Sequence, residues 1–347
     1  MAPPAQLPTR KLGRNGPEIT AIGFGLMGLS TAYGAVEPDS ARLPVLDRAW
    51  DLGCTNWDSA DMYGDSEDLL GKWFTLHPER RPDIFLATKF GLRVGRKDDG
   101  TVGLIVDSSP EYCRQQCEAS LKRLETDYID LYYVHRVDGK TPIEKTMGEL
   151  VKLKAEGKIR HIGISSASPD TVRRAHAIHP LAAYQVEYSP WALEIEGPDG
   201  KHILQTCREL GITVFAYSPL GRGIMTGQIR SPDDFDETDL RRRLPRFSKE
   251  NFPKNLVLVD RVKEMATRKG CTPGQLTMAW LLAQGEDIIP IPGTKKIKYL
   301  EENIGAVNVS VSAEEEKQIR GWIDELGFAG VRMPPGMLDE FNDTPPL

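Results

Sequence analysis

A tyrosine, a lysine, an aspartate and a histidine held together can move a proton onto a carbonyl oxygen, and this chain spaces those four types along consecutive strand-like runs. The stretch W-D-S-A-D-M-Y-G, Trp57 to Gly64, follows a short extended run at Thr55 to Trp57 and stops at a glycine turn. That pattern places Asp58 at a strand end and Tyr63 on the loop just beyond it. A phenol with an ordinary pKa of about 10 is a useful acid only when a neighbour stabilises its phenolate. Lys89 ends the next extended run, I-F-L-A-T-K-F-G, and is expected to lower the Tyr63 pKa, with Asp58 holding the ammonium in place. His135 closes the run after that, Y-I-D-L-Y-Y-V-H-R. Singly, each has a structural reading: a helix cap, a rim aromatic, a solvated strand end, a hydrogen-bonded core histidine. Four such groups at three consecutive strand ends favour one shared site.

The elements that must position them recur in strict alternation. Extended runs are expected at Ile19 to Phe24, Thr55 to Trp57, Ile84 to Thr88, Ile129 to Val134, Ile162 to Ile164, Ala183 to Val186, Thr213 to Ala216 and Ile288 to Ile291. Between them lie amphipathic stretches at Pro44 to Leu52, Ser109 to Leu124, Ile143 to Glu156, Pro169 to Ile178 and Ile203 to Leu210. Prolines 110, 142 and 169 mark first helical turns, and glycines 53, 157 and 211 mark helix ends. Strand and helix in alternation imply right-handed crossovers and a parallel sheet. Eight such units predict a closed (β/α)8 TIM barrel spanning residues 1–347 as a single domain, with a flexible lead-in at 1–10 and an irregular tail at 328–347. Reacting groups in that fold gather at the C-terminal strand ends, which brings Ser165, Gln185, Tyr217 and Thr294 beside the first four.

One decoy, one phosphate site and one long loop stand apart from this pattern. Gly23, Gly25 and Gly28 spell G-x-G-x-x-G, but the following L-S-T-A-Y-G is loop-like, whereas a dinucleotide fingerprint opens a helix. These glycines are instead expected to let the first loop approach the pocket. Phosphate is better served after the seventh and eighth strands, by Y-S-P-L-G-R-G (Tyr217 to Gly223) and by I-P-G-T-K-K-I-K, where Thr294, Lys295 and Lys298 add a hydroxyl and two cations. Residues 221–255 are expected to form a mobile loop over the mouth, a cofactor clamp with Arg222 among its contacts. Met27, Tyr33, Phe90 and Trp191 are candidate substrate-pocket walls.

Composition narrows the class. A net charge of -6 argues against nucleic acid or an anionic membrane as the main partner. No apolar run approaches the roughly 20 residues of a membrane span. Five cysteines, an odd number, with an N-terminus that carries no apolar signal core, suggest reduced thiols and a cytoplasmic protein. Cys113 and Cys117 have no second ligand pair and H-E-x-x-H is missing, so no metal is expected.

With W-D-S-A-D-M-Y-G, A-T-K-F-G, Y-I-D-L-Y-Y-V-H-R, G-K-I-R-H-I-G-I-S, Q-V-E-Y-S and Y-S-P-L-G-R-G in that order, nearly the whole chain resembles the aldo-keto reductase superfamily. It looks closest to the plant and fungal branch of perakine-reductase-like and pyridoxal-reductase-like enzymes. The resemblance implies a catalytic tetrad at Asp58, Tyr63, Lys89 and His135. It implies a nicotinamide site in which Ser165 and Gln185 hold the carboxamide and Tyr217 stacks on the ring. Ser218, Leu220, Gly221, Arg222 and Gly223 would cradle the cofactor, Thr294, Lys295 and Lys298 the adenosine 2′-phosphate, and Glu302 and Asn303 the adenine. Ser166 departs from the asparagine of many members, and the segment from Trp191 to His202 is longer than in many. The implied activity is reduction of a small-molecule aldehyde or ketone with NADPH, giving NADP+. A rival from another class is an auxiliary potassium-channel subunit that keeps the fold and cofactor as a binding partner.

Overall fold

The computed structural model describes residues 6–96, 100–334 and 341–347. Eight strands run in parallel around a (β/α)8 TIM barrel: Phe24–Gly25, Asn56–Asp58, Phe85–Phe90, Ile129–Val134, Ile159–Ser165, Ala183–Glu187, Thr213–Tyr217 and Ile288–Pro290. Each pairs with the next in chain order. The ring closes between first and last strands, where the Gly23 N–H donates to Pro290 O and the Gly25 N–H to Pro292 O, both at 2.9 Å. A Cβ on Gly23 would lie 2.8 Å from Ile291 Cγ2, and one on Gly25 the same distance from the Ile291 carbonyl oxygen. The first two glycines of G-x-G-x-x-G therefore serve barrel closure before anything else, although Gly25 and Gly28 also reach the cavity.

Residues alternate between two environments along each strand, because successive side chains point to opposite faces. In the third strand Ala87 packs in the barrel interior, and Lys89 shares that side by the period of two, while Leu86 and Phe90 join the layer between barrel and helices. The fourth divides in the same way, with Leu131 and Tyr133 inside and Tyr132 and Val134 outside. The N-terminal end is plugged by a hairpin of Thr9–Lys11 with Glu18–Thr20, whose Leu12 and Ile19 enter the interior cluster. Ile19 therefore belongs to the plug and not to the first barrel strand, which starts at Phe24. The expected flexible lead-in is likewise shorter, since residues 9–10 are in the hairpin; residues 1–5 lie outside the described residues.

Most helix signals hold locally, but the helix expected from Pro44 runs Asp39–Asp51 with Pro44 inside it, and Pro142 is an N-cap. Ser109 and Ser168 cap the helices Pro110–Arg123 and Pro169–Ile178 by accepting from the Tyr112 and Thr171 N–H groups. Gly53, Gly157 and Gly211 sit at φ 74°, 78° and 69°, the left-handed conformation that ends a helix without a Cβ clash.

Three segments decorate the C-terminal face. A hairpin of Leu92–Arg96 with Val102–Val106, unanticipated from sequence, follows the third strand. The segment 221–255, expected to be a mobile loop, is a chain of short 3-10 turns leading into the helix Phe252–Lys269. Phe235 and Phe247 anchor it with ring centroids 5.6 Å apart, and Phe252 joins them at 5.9 Å from Phe247. The tail expected at 328–347 is irregular but fixed where it is described. Asn342 bridges Ala167, Lys201 Nζ donates to Phe341 O at 3.1 Å, and Arg174 donates to the Thr344 and Pro345 carbonyls. Residues 335–340 of that tail lie outside the described residues.

Candidate active site

Asp58 ends the second strand, Lys89 lies near the end of the third, and His135 follows the fourth, so barrel geometry converges all three on one point. Lys89 Nζ donates to Asp58 Oδ1 and to the Ser59 carbonyl, both at 2.6 Å, and the pair is buried. Gln185 Nε2 donates to the other carboxylate oxygen, Asp58 Oδ2, at 2.7 Å. Tyr63 stands over this pair, its ring centroid 4.9 Å from Lys89 Nζ, and its edge meets the His135 ring at 5.8 Å. A buried ammonium on a buried carboxylate with a second donor on the free oxygen is the arrangement that makes such a pair tolerable.

Burial works against the Lys89 ammonium, but Asp58 and Tyr63 outweigh it and hold its pKa above the ordinary value. The sequence reading expected Lys89 to lower the Tyr63 pKa. Lys89 does pull it down, but burial pushes it up more strongly and Asp58 adds to the rise. In the protein alone Tyr63 is therefore a neutral phenol that carries its proton. Burial, then the charges of Lys89 and Arg136, hold His135 well below the ordinary imidazole range, so it is neutral at pH 7. Its Nδ1 is buried with no hydrogen-bond partner.

Asp58, Tyr63 and His135 line a cavity of about 830 Å³, with Lys89 bonded to Asp58 behind them. The cavity extends past Ser165, Gln185 and Tyr217 to Ser218, Leu220, Arg222 and Gly223, and on to Thr294, Lys295, Glu302 and Asn303. Met27 and Tyr33 line it as expected. Phe90 and Trp191 do not. Phe90 alternates with Lys89 and so faces outward, stacked on Tyr132 at 5.2 Å. Trp191 is buried between Phe247 and Phe328. Gly221 backs onto Trp191 outside the lining, and Lys298 is exposed on the surface while its neighbour Lys296 takes the lining position. Lys295 Nζ donates to the Tyr33 and Ala35 carbonyls at 2.6 and 2.7 Å, tying the eighth-strand loop to the first.

Sequence reasoning missed several lining residues. Arg136 donates to Ser165 Oγ at 3.0 Å and to the His135 carbonyl at 2.8 Å, and the run Y-V-H-R could have flagged it. Arg222, expected at the site, donates to the buried Glu187 at 3.0 Å, and the unanticipated Arg332 also pairs with that carboxylate behind the lining. Leu92 and Leu104 from the hairpin, and Phe235, Leu240 and Arg241 from the turn-rich segment, also line the walls. No local signal in the sequence points to the two hairpin leucines, while the other three lie in the segment 221–255 expected over the mouth. Ser166, Ser218 and Arg222 all adopt left-handed φ near 50–58° at this face. Asparagine tolerates that conformation better than serine, which gives the departure at Ser166 a backbone cost. Among the described residues no group of three or more metal-ligating side chains forms, and no helix is long and apolar enough to cross a membrane.

Two residues before Tyr63 in the same loop is Asp61, whose Oδ1 is buried without a partner. Burial pushes its pKa up to about 8, helped by Glu67 and opposed by Arg123 and Lys89. The unfolded carboxyl ionises near about 4. The folded form binds the extra proton between those values, so stability falls as pH rises from about 4 to about 8 and levels off above. Asp61→Asn removes that penalty. Its advantage in Tm over the parent should grow across that interval and then stay constant. A difference that is the same at every pH would refute the assignment.

A parallel barrel that holds a neutral tyrosine, a buried lysine–aspartate pair and a neutral histidine at its C-terminal face defines an oxidoreductase of the aldo-keto type. The chain belongs to the aldo/keto reductase family, whose model matches residues 21–324. It is 52% identical over 344 residues to aldo-keto reductase yakc of Schizosaccharomyces pombe, a name that specifies NADP(+), covering 98% of this chain and 99% of that one. Aldo-keto reductase str7 of Strobilurus tenacellus is 51% identical, over 94% and 95% of the two chains. Among solved structures, the glycerol dehydrogenase AKR11B4 from Gluconobacter oxydans superposes with a TM-score of 0.81 at 28% identity, covering 95% of this chain and 99% of that one.

Proposed function

We propose that the chain reduces an aldehyde or ketone with NADPH, with Tyr63 as proton donor. One observation supports the reading: a single cavity is lined both by Asp58, Tyr63 and His135 of the tetrad and by the cations Arg222, Lys295 and Lys296. The residues present fit a dinucleotide with an extra phosphate, since two lysines and an arginine line the same cavity and a buried His135 Nδ1 has a polar partner still to find. When bound, the reduced nicotinamide supplies the hydride.

The chain's own residues do the rest. Ser165 and Gln185 would hold the carboxamide and Tyr217 the ring face. Gln185 is already oriented by its bond to Asp58, and the Ser165 oxygen already accepts from Arg136, which leaves the serine proton to donate. His135, neutral, donates a hydrogen bond to the substrate oxygen and orients it. Tyr63, neutral, gives its proton to the developing alkoxide. Lys89, fixed by Asp58, stabilises the phenolate left behind. Nothing in the cavity or the relatives favours the channel-subunit reading. The small-molecule substrate and a cytoplasmic setting are part of the same proposal.

NADPH should bind at least about tenfold tighter than NADH, because a charge-assisted contact to phosphate contributes roughly 1.5–3 kcal/mol. Fluorescence titration measures both. Lys295→Met with Lys296→Met should weaken NADPH and spare NADH, whereas Lys298→Ala should change neither. Equal affinity of the parent enzyme for the two dinucleotides would overturn the cofactor assignment.

A further inference from the structure

The hairpin after the third strand carries a row of apolar side chains out of the cavity. Its register pairs Leu92 with Val106, Val94 with Leu104 and Arg96 with Val102. Directly opposed residues of an antiparallel pair point to the same face, as do residues two apart on one strand. Leu92, Val94, Val102, Leu104 and Val106 therefore share one face, with Arg96 beside Val102 at its outer end, where its guanidinium donates to the Gly100 carbonyl. The opposite face is fixed independently: a Cβ on Gly95 would meet Arg93 Nη1 at 2.8 Å and Ile105 Cδ1 at 2.9 Å, so Arg93, Gly95 and Ile105 lie together. Leu92 and Leu104 line the cavity. Val94 and Val102 continue the same face beyond it and are each 70% exposed. Residues two apart on a strand are separated by about 6.5 Å, so the row runs outward from the cavity lining in steps of that size. Met62, also lining the cavity, follows Asp61 in the tetrad loop and makes the inner start of the path apolar and adaptable.

We infer that this face is an outer subsite for the apolar extension of the substrate, so that the enzyme selects carbonyl compounds with a long hydrophobic tail over short ones. The inference rests on the carbonyl-reductase reading above. The occupant is settled by continuity: the exposed valines lie on the face whose inner leucines form the cavity wall, and a tail leading from a carbonyl at Tyr63 has that wall to follow. Exposed β-branched side chains on an outstanding hairpin are otherwise an aggregation hazard.

Straight-chain aldehydes from propanal to decanal, reduced with saturating NADPH, provide the test. In the parent enzyme kcat/KM should climb about threefold for each methylene that reaches the face. The climb should come from KM, with kcat nearly constant, because the tail contacts are the same before and during the reaction. Val94→Thr with Val102→Thr keeps side-chain shape and strand preference while adding a hydroxyl. That variant should flatten the climb for the longest aldehydes and leave propanal unchanged. A parent enzyme without the slope, or a variant that keeps it in full, overturns the subsite. So does a concentration-dependent dimer that the two substitutions dissolve while the slope persists, which would assign the valines to a second copy of the chain. No turnover with any aldehyde or with the matching straight-chain ketones would remove the reductase reading and the subsite together, whereas turnover without chain-length dependence removes the subsite alone.

Discussion

Tyr63→Phe should lower the turnover of aldehyde reduction by about 10²- to 10⁴-fold, the usual contribution of a positioned acid, while NADPH affinity stays near that of the parent. The substitution deletes one hydroxyl and keeps the ring that meets His135 edge-on and lies over Lys89. Packing and stability should accordingly change little, so the rate loss reads the proton and not the fold. The pH profile carries a second signature. Burial holds the phenol above its ordinary value, so the proton-donating form persists through neutral pH. Reduction by the parent should stay flat there and fall only as pH rises past about 10, where unperturbed phenols ionise. Stopped-flow rates with saturating NADPH would measure both. A fully active phenylalanine variant would remove Tyr63 from the chemistry.

Lys89→Met should abolish most turnover and also destabilise the protein, which separates it from the tyrosine variant. Lys89 is buried and supplies Asp58 Oδ1 with its ammonium partner, and methionine leaves that carboxylate with Gln185 alone. Removing one member of a buried pair typically costs about 3–5 kcal/mol, most of it the penalty of the stranded charge. Asp58→Asn in the same chain removes that charge. The double variant should therefore recover much of the lost Tm in thermal unfolding and none of the lost turnover. Recovery of both would make the pair structural. Recovery of neither would mean that the stranded carboxylate is not what destabilises the single variant.

Much of this molecule is local enough to be legible in its sequence. Asp58, Lys89 and His135 each close a short apolar run, and the C-terminal ends of parallel strands in a barrel must share one face. Three residues far apart in the chain therefore meet by topology. Prolines 110 and 169 and glycines 53, 157 and 211 mark helix boundaries because each acts through its own backbone torsions.

Only the tertiary structure decided what depends on partners distant in the chain. Phe90 was misread as a pocket wall because proximity to Lys89 in sequence hides the alternation that turns adjacent strand residues to opposite sides. Gly23 and Gly25 imitate a nucleotide-binding fingerprint, and the reason for them is Ile291, more than 260 positions further along the chain, which passes too close for a side chain. The Tyr63 phenol sits high and not low because desolvation, which no spacing of residues reports, outweighs the nearby ammonium. Segment 221–255 reads as a charged loop, yet Phe235, Phe247 and Phe252 fold it into a wall of the cavity. Side-chain type and spacing determine which groups a strand end carries. What those groups feel is set by burial and by neighbours that only the closed barrel brings near.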